Sequence, residues 1–284
     1  MKNNRIEITK SSGRKVRFSL QKLRRSLRSS GANKLLVNQI LDKVRDQLYQ
    51  GISTKEIYNL AFDLLKKERS YYASKFKLKK ALYELGPTGF PFERYVSAIL
   101  SHSGYFTEVG KILQGNCVRH EIDVLAYQNN ETTVIECKFH TSQGLNCDVK
   151  VPLYIHSRYN DVKANWNADP NKITQIKEGW VVTNTRFTED ALQYGSCVGL
   201  YLLSWDYPKG NALKDRIDQL HLYPITVSTL LSSKEKQNLL DKEIVLCREL
   251  LDKPFLLQEI GVSELRAKKI IHEISELCTH KTTK

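Results

Sequence analysis

Two stretches decide the fold: Arg119-His-Glu-Ile-Asp-Val-Leu-Ala126 and, shortly after it, Thr133-Val-Ile-Glu-Cys-Lys-Phe-His140. Each is a short run of aliphatic and β-branched residues with charge set inside it. Bounded by polar segments such as Gln128-Asn-Asn130, they read as two strands of a hairpin buried largely on both faces. Buried charge is costly unless it pairs or binds a metal. A strand alternates faces with period two, so Glu136 and Lys138 project to one side, roughly 6.6 Å apart. If Asp123 on the neighbouring strand faces the same side, two carboxylates and an ammonium converge. Two hard oxygen donors on one spot suit Mg²⁺, which takes one or two carboxylates and keeps several waters. The lysine beside them is placed to orient a water or to stabilise charge on a phosphate.

Asp123 followed by Glu136-Cys137-Lys138 resembles the D…ExK signature of the PD-(D/E)XK nucleases, in their Mrr-like restriction endonuclease branch. Glu93, in Phe90-Pro-Phe-Glu-Arg-Tyr-Val-Ser-Ala-Ile-Leu100, stands where these nucleases carry a first-helix glutamate near the metal. Gly179-Trp-Val-Val-Thr-Asn-Thr-Arg-Phe-Thr-Glu-Asp-Ala191 resembles the branch's strand-to-helix passage, and Gly199-Leu-Tyr-Leu-Leu-Ser204 its last core strand. The resemblance covers residues 88–208. It implies a restriction-endonuclease-like αβββαβ core with a mixed sheet and a Mg²⁺- or Mn²⁺-dependent DNA endonuclease. Asp123, Glu136 and Cys137 would be the metal-holding positions, Glu93 would support the metal, and Lys138 would be the catalytic lysine. The family often has a glycine-rich lead where Arg119-His120-Glu121 stands. The first carboxylate is therefore open between Glu121 and Asp123, and Asp123 lies deeper in the apolar run. A plain hairpin with a structural salt bridge is the bland alternative.

Charge divides the chain. Residues 1–90 hold 21 lysines and arginines against seven acids; the remainder holds 23 against 24. A polyanionic partner for the first third follows, either DNA backbone or nucleotide phosphates. Ile6-Glu-Ile-Thr-Lys10 and Arg14-Lys-Val-Arg-Phe18 around Ser11-Ser12-Gly13 predict a β-hairpin. Ser19 then caps a helix with Leu20, Leu23 and Leu27 inside, and a second helix spans about Asn33 to Tyr49. Ser53-Thr-Lys-Glu56 is a capping box for a third helix, and a fourth covers roughly 69–84, stopping at Gly86-Pro87. This order resembles the ATP cone, a regulatory nucleotide-binding module, over residues 4–86. The resemblance implies ATP or dATP as effector and contacts at Ile8, Lys10, Lys22, Leu23 and Thr54, with Tyr58 one turn on. Ser11 stands where the family often has a second basic residue; Arg14, Lys15 or Lys80 could replace it. No Walker-type glycine-rich loop occurs, so the module would sense the nucleotide rather than hydrolyse it.

The rest fits an α/β chain, α+β overall, divided at 1–87, 88–208 and 209–284. Gly104-Tyr-Phe-Thr-Glu-Val-Gly110 is the first core strand. Asp148 to about Lys163 is a helix with Val151, Tyr154, Ile155 and Tyr159 inward, and Trp166 falls in a turn-rich loop. His140, Lys150, His156, Arg158 and Arg186 are candidates for phosphate or water contact. The end is a helical tail in which Leu239-Leu240, Ile244, Val245 and Leu250-Leu251 form one helix face. Phe255 to Ser263 and the helix after it resemble a helix-hairpin-helix, although Ser263 replaces a usual glycine; a helical cap or dimerisation element reads equally well. Six cysteines without a CxxC pair read as buried thiols, and no apolar run is long enough for a membrane span or secretory signal. A cytoplasmic homo-oligomer is expected. The alternatives to the endonuclease are a non-catalytic nucleotide-responsive DNA-binding regulator and a structure-specific resolvase.

Overall fold

In the computed structural model, which describes residues 6–10 and 13–279, the front of the chain follows its capping signals. Strands β1 (Glu7–Thr9) and β2 (Lys15–Arg17) pair antiparallel; Ser11 and Ser12 of their turn lie outside the described residues. Helices α1 (Leu20–Ser29), α2 (Lys34–Asp46), α3 (Thr54–Glu68) and α4 (Ser70–Tyr83) follow. The side chains of Ser19, Asn33 and Ser53 each accept an N–H from the turn behind them, and Ser53 with Glu56 completes a capping box. α2 ends before Tyr49, whose hydroxyl donates to Glu56 at 2.7 Å and so belongs to the α2–α3 turn. The hairpin is bound to that turn through backbone: Gly51 N–H to Glu7 C=O at 2.9 Å, and Thr9 N–H to Ile52 C=O at 3.0 Å.

The second unit is a five-stranded mixed sheet of order β3-β4-β5-β6-β7. β3 (Phe106–Gln114), β4 (Arg119–Gln128) and β5 (Glu131–Lys138) form an antiparallel meander, and β6 (Gln175–Thr183) and β7 (Tyr201–Leu203) run parallel to β5. The β4–β5 turn is the two-residue Asn129-Asn130, both at positive φ (51° and 61°), as a twist-matched hairpin turn requires. Helix α5 (Phe90–Ser101) packs on one face against Val124, Ile135 and Val182. Helices α6 (Lys150–Ala168) and α7 (Glu189–Cys197) cover the other, against Val134 and Val181. Burial on both faces explains why the central strands carry continuous apolar runs.

Several expectations are corrected. Trp166 is not in a loop: α6 runs five residues further than expected, and Ile155, Tyr159, Val162 and Trp166 form its buried stripe. The Trp166 indole N–H donates to the Thr174 carbonyl at 2.9 Å, which fixes the helix end. Tyr154, expected inward, is exposed. Cys117 and Cys197 are exposed rather than buried, and only Cys147 and Cys247 are fully enclosed.

After α8 (Leu213–Leu220) and a short 3-10 turn (Ile225–Val227), the expected single helix face over 239–251 divides into α9 (Ser233–Asp241) and α10 (Cys247–Asp252). Glu243 takes φ 63°, and the Ile225 N–H binds the Val245 carbonyl. The Glu249 carboxylate then accepts the N–H groups of Val245 and Leu246 at 2.8 Å each, starting α10 afresh. α11 (Leu256–Glu259) and α12 (Glu264–Thr279) finish the described chain.

This end of the chain is built into the main core. Leu239, Leu250, Ile270 and Ile274 are buried in one cluster with Phe92 and Tyr95 of α5 and with Leu78, Ala81 and Leu82 of α4. Ala73 of α4 belongs instead to the core of the N-terminal helices. Packing therefore continues across Gly86-Pro87 through α4. Among the described residues no helix is long and apolar enough to cross a membrane.

Glu273 of α12 fastens this junction. Fully buried, it accepts the Ser74 hydroxyl of α4 (2.8 Å), the Ser228 hydroxyl (2.5 Å), and the Thr229 hydroxyl (2.6 Å) and N–H (3.1 Å). Removing it strands four donors in the interior. Glu273→Ala should lower the unfolding free energy by about 3 kcal/mol in urea titration. Glu264→Ala, on an exposed face of the same helix, should change it by less than about 0.5 kcal/mol.

Candidate functional site

The acidic site forms where β4 and β5 part. Their ladder ends at Val124↔Ile135, and the β3–β4 ladder omits the pair Gly110–Asp123, where Gly110 holds φ 64°. In place of a ladder bond, Asp123 Oδ2 accepts the Cys137 N–H at 2.6 Å. Asp123 thus meets the backbone next to Glu136, on whose side of the strand Lys138 also projects. Glu136 and Lys138 together line a cavity of about 200 Å³ with Tyr154, Ile155 and Val151 of α6.

Glu136 is 5% exposed, and Arg158 of α6 donates to its Oε2 at 2.7 Å. The same Arg158 Nη1 reaches the Glu121 carbonyl at 3.1 Å, and Nη2 donates to the Tyr154 hydroxyl at 2.7 Å. Glu136 Oε1 is buried with no hydrogen-bond partner. Burial first, and the Asp123 charge second, push the Glu136 carboxyl up to about 8, against the lowering effect of Arg158. Glu93, in the first turn of α5, is pushed up to about 7 by burial and then by Asp123 and Glu121. Burial also raises Asp123. These carboxylates burden one another, and Arg158 is in contact with Glu136.

The sequence candidates separate accordingly. Asp123, Glu136 and Glu93 lie close enough to shift one another, Lys138 lines the Glu136 cavity, and Glu121, exposed on the strand, also acts on Glu93 and Asp123. The Cys137 thiol lies on the opposite strand face from Glu136, packed against the α5 core, so only its backbone belongs to the site. Arg158, one candidate among several, reaches Glu136 because it lies beside Ile155 and Tyr159 at the border of the buried stripe of α6. His156 Nδ1 faces the Tyr194 hydroxyl at 3.0 Å, and Lys150 sits at the start of α6. Asn184, which the sequence reading passed over, holds His140 by both its N–H (2.9 Å) and carbonyl (2.8 Å). Among the described residues no group of three or more His, Cys, Asp or Glu is gathered so as to hold a metal ion by itself.

In the N-terminal unit, Ile8 and Leu23 are buried, whereas Lys10 and Lys22 are exposed and make no ion pair among the described residues. Thr54 opens α3 beside the hairpin, where Thr9 pairs with Ser53. One turn on, Tyr58 stacks on Phe76 with ring centroids 5.0 Å apart, and its buried hydroxyl has no partner.

Residues 6–79 match the ATP cone domain, a module that binds ATP or dATP effectors, and residues 223–278 match the AF1548-like C-terminal domain. Over 183 residues the chain is 32% identical to an uncharacterized protein of Archaeoglobus fulgidus, covering 64% of this chain and 99% of that one. The crystal structure of AF1548, a protein of unknown function, superposes with a TM-score of 0.56 at 31% identity, over 67% of this chain and 98% of that chain. Can2 from Sulfobacillus thermosulfidooxidans, solved with cyclic tetra-adenylate, aligns over 70% of this chain and 55% of its own at 16% identity; its TM-score of 0.28 supports no structural argument.

The raised Glu136 pKa makes stability depend on pH. A carboxyl held above its unfolded value contributes stability that is present at low pH and lost as pH rises towards its folded value. In EDTA, urea midpoints should fall between about pH 5 and about pH 8. The fall should be steeper in Arg158→Leu and shallower in Glu136→Gln. Equal slopes in all three proteins would remove Glu136 as their cause.

Proposed function

The chain belongs to the AF1548-like family and carries an ATP cone at its front, and from that premise we propose a divalent-metal-dependent DNA endonuclease under nucleotide control. The observation that carries this reading is the convergence of Asp123, Glu136 and Lys138 at the opening of the β4–β5 pair, with Glu93 facing them from α5. The element order α5-β3-β4-β5-α6-β6 supports it, being the αβββαβ order of the PD-(D/E)XK nucleases that the D…ExK motif resembles.

The residues fit a hard cation. Glu136 Oε1 lacks a partner, and the carboxylates lie close enough to raise one another. Two carboxylates with a backbone carbonyl and waters are a donor set that Mg²⁺ or Mn²⁺ accepts. Asp123, Glu136 and the Cys137 carbonyl would hold the ion, and Glu93 would support it directly or through water. Bound there, the ion would polarise the scissile phosphate and favour a hydroxide nucleophile.

The chain's own groups do the rest. Asp123, tied to the Cys137 N–H, keeps β4 and β5 at a fixed separation. Arg158 is a positioning residue that holds Glu136 in one rotamer. The Lys138 ammonium, at the mouth of the cavity, orients the attacking water and stabilises charge gathering on the phosphate. Water oxygen bonds to phosphorus as its proton passes to solvent, the phosphorus–oxygen ester bond breaks, and the departing oxygen takes a proton back from solvent.

One observation favours the alternative of a non-catalytic DNA-binding regulator: Arg158 already occupies Glu136 Oε2. Lys138→Ala separates the two readings. It should reduce Mg²⁺-dependent cleavage by at least about 100-fold and leave DNA affinity within about twofold. Equal losses of cleavage and binding would remove Lys138 from the chemistry. Adding ATP to the wild type should change the cleavage rate, and Lys10→Ala should abolish that response.

A further inference from the structure

A cleft of about 640 Å³ runs between the cone and the sheet unit. Its cone wall is the α1 face bearing Lys22 and Arg25, together with Lys79 of α4. Its far wall is the β6–α7 connection with Arg186 and the β7–α8 connection with Trp205, continuing to Lys214 of α8. Ser26 and Ser29 turn their hydroxyls back to the Lys22 and Arg25 carbonyls, so α1 presents a low wall with cations projecting from it.

One of the three acids in the cleft is paired with a cation, and the other two accept from neutral donors. Asp206 accepts Arg186 through Nε and Nη2 at 2.7 Å each. Asp215 accepts the Ala212 N–H at 3.0 Å, and Asp218 the Tyr223 hydroxyl at 2.9 Å. Lys22, Arg25, Lys79 and Lys214 make no ion pair among the described residues. Burial, then the Arg186 and Lys214 charges, hold the Lys79 ammonium below its usual value, with Asp206 opposing. Lys79 Nζ also stands 5.8 Å from the centroid of the half-buried Trp205 ring. Six cations against three carboxylates line the two facing walls, and this net positive charge, with the Trp205 ring on one wall, calls for an extended anion.

The cleft and the acidic site lie toward the same carboxyl end of the parallel strands. Thr183 is in register with Lys138 at the carboxyl ends of β6 and β5. The next residue, Asn184, clamps His140, and Arg186 follows two positions later. Ligands of open α/β sheets gather at the carboxyl ends of the strands. The α1 wall, with Lys22, Arg25, Ser26 and Ser29 all exposed, leaves the cleft open on its outer side, as a polymer requires.

We infer that this cleft holds the phosphodiester backbone of the DNA on which the acidic site acts, so that α1 and α4 of the cone form part of the substrate track. The identity of the polymer rests on the nuclease reading, while the site rests on the cleft itself.

Binding measured without chemistry tests the two apart. Labelled duplex DNA is titrated in EDTA by fluorescence anisotropy across about 50 to 300 mM KCl. Arg25→Ala/Lys214→Ala, and the triple variant adding Lys79→Ala, should weaken binding about tenfold or more at low salt. The slope of log affinity against log salt should become shallower by about two to three, near 0.9 per lost phosphate contact. The control Lys34→Ala/Lys43→Ala/Lys67→Ala removes as much charge from exposed positions of α2 and α3, and should leave affinity within about twofold and the slope unchanged. Cleft variants matching the control would overturn the inference, as would absence of DNA binding by the wild type. Loss of a fluorescent ATP analogue with DNA affinity intact would assign the cleft to the effector and overturn it equally. Weakened DNA binding in the cleft variants, alongside a wild type that cleaves nothing in Mg²⁺, would uphold the track and remove only the nuclease reading.

Discussion

A carboxylate enclosed beside a second carboxylate is the constraint on which the centre of this structure turns. Glu136 is buried, its Oε1 has no partner, and Asp123 lies across the opened strand pair. Such an arrangement is unfavourable unless something nearby supplies positive charge. Arg158 supplies one cation, which requires α6 to lie across this face of the sheet with Arg158 at the border of its buried stripe. The Asp123 bond to the Cys137 N–H replaces the missing ladder bond. The sheet can open at this point because that side chain closes its hydrogen bonding.

The second dependence runs through α4. Its Ala73 packs with the N-terminal helices, while Leu78, Ala81 and Leu82 pack with α5, α9 and α12. The same helix carries Phe76, against which Tyr58 stacks, and Lys79, which faces the Arg186 connection. A shift in how the cone holds α4 is therefore felt in the core beneath the sheet. Interiors packed to this density move between discrete arrangements rather than yielding gradually. The ATP cone match and the acidic site are thus joined through one helix.

The sequence was most legible where local chemistry is decisive. The caps Ser19 and Ser53, the Asn129-Asn130 turn and the charged residues within the β4 and β5 runs each specify local structure without distant help. The placement of Glu136 and Lys138 on one strand face followed from period two alone. Trp166 was misread because asparagines and aspartate around it resemble a loop, whereas the contact that continues the helix comes from Thr174. The division between α9 and α10 was hidden for a similar reason: it depends on Ile225 and Glu249 reaching the Val245 backbone. The Arg158–Glu136 pair joins residues on separate elements, and only the packing of α6 reveals which of several basic residues meets the carboxylate.

Metal-dependent cleavage is tested by conversion of supercoiled plasmid by the full chain, with Mg²⁺ or with EDTA, compared between wild type and Glu136→Gln. The amide keeps the volume and the Arg158 neighbour while removing the charge. The expected result is nicked or linear product from the wild type in Mg²⁺ alone, and none from the variant, with both proteins still binding DNA. DNA bound by both and cut by neither, in Mg²⁺ or in Mn²⁺, would contradict it and leave a nucleotide-responsive DNA-binding protein in its place.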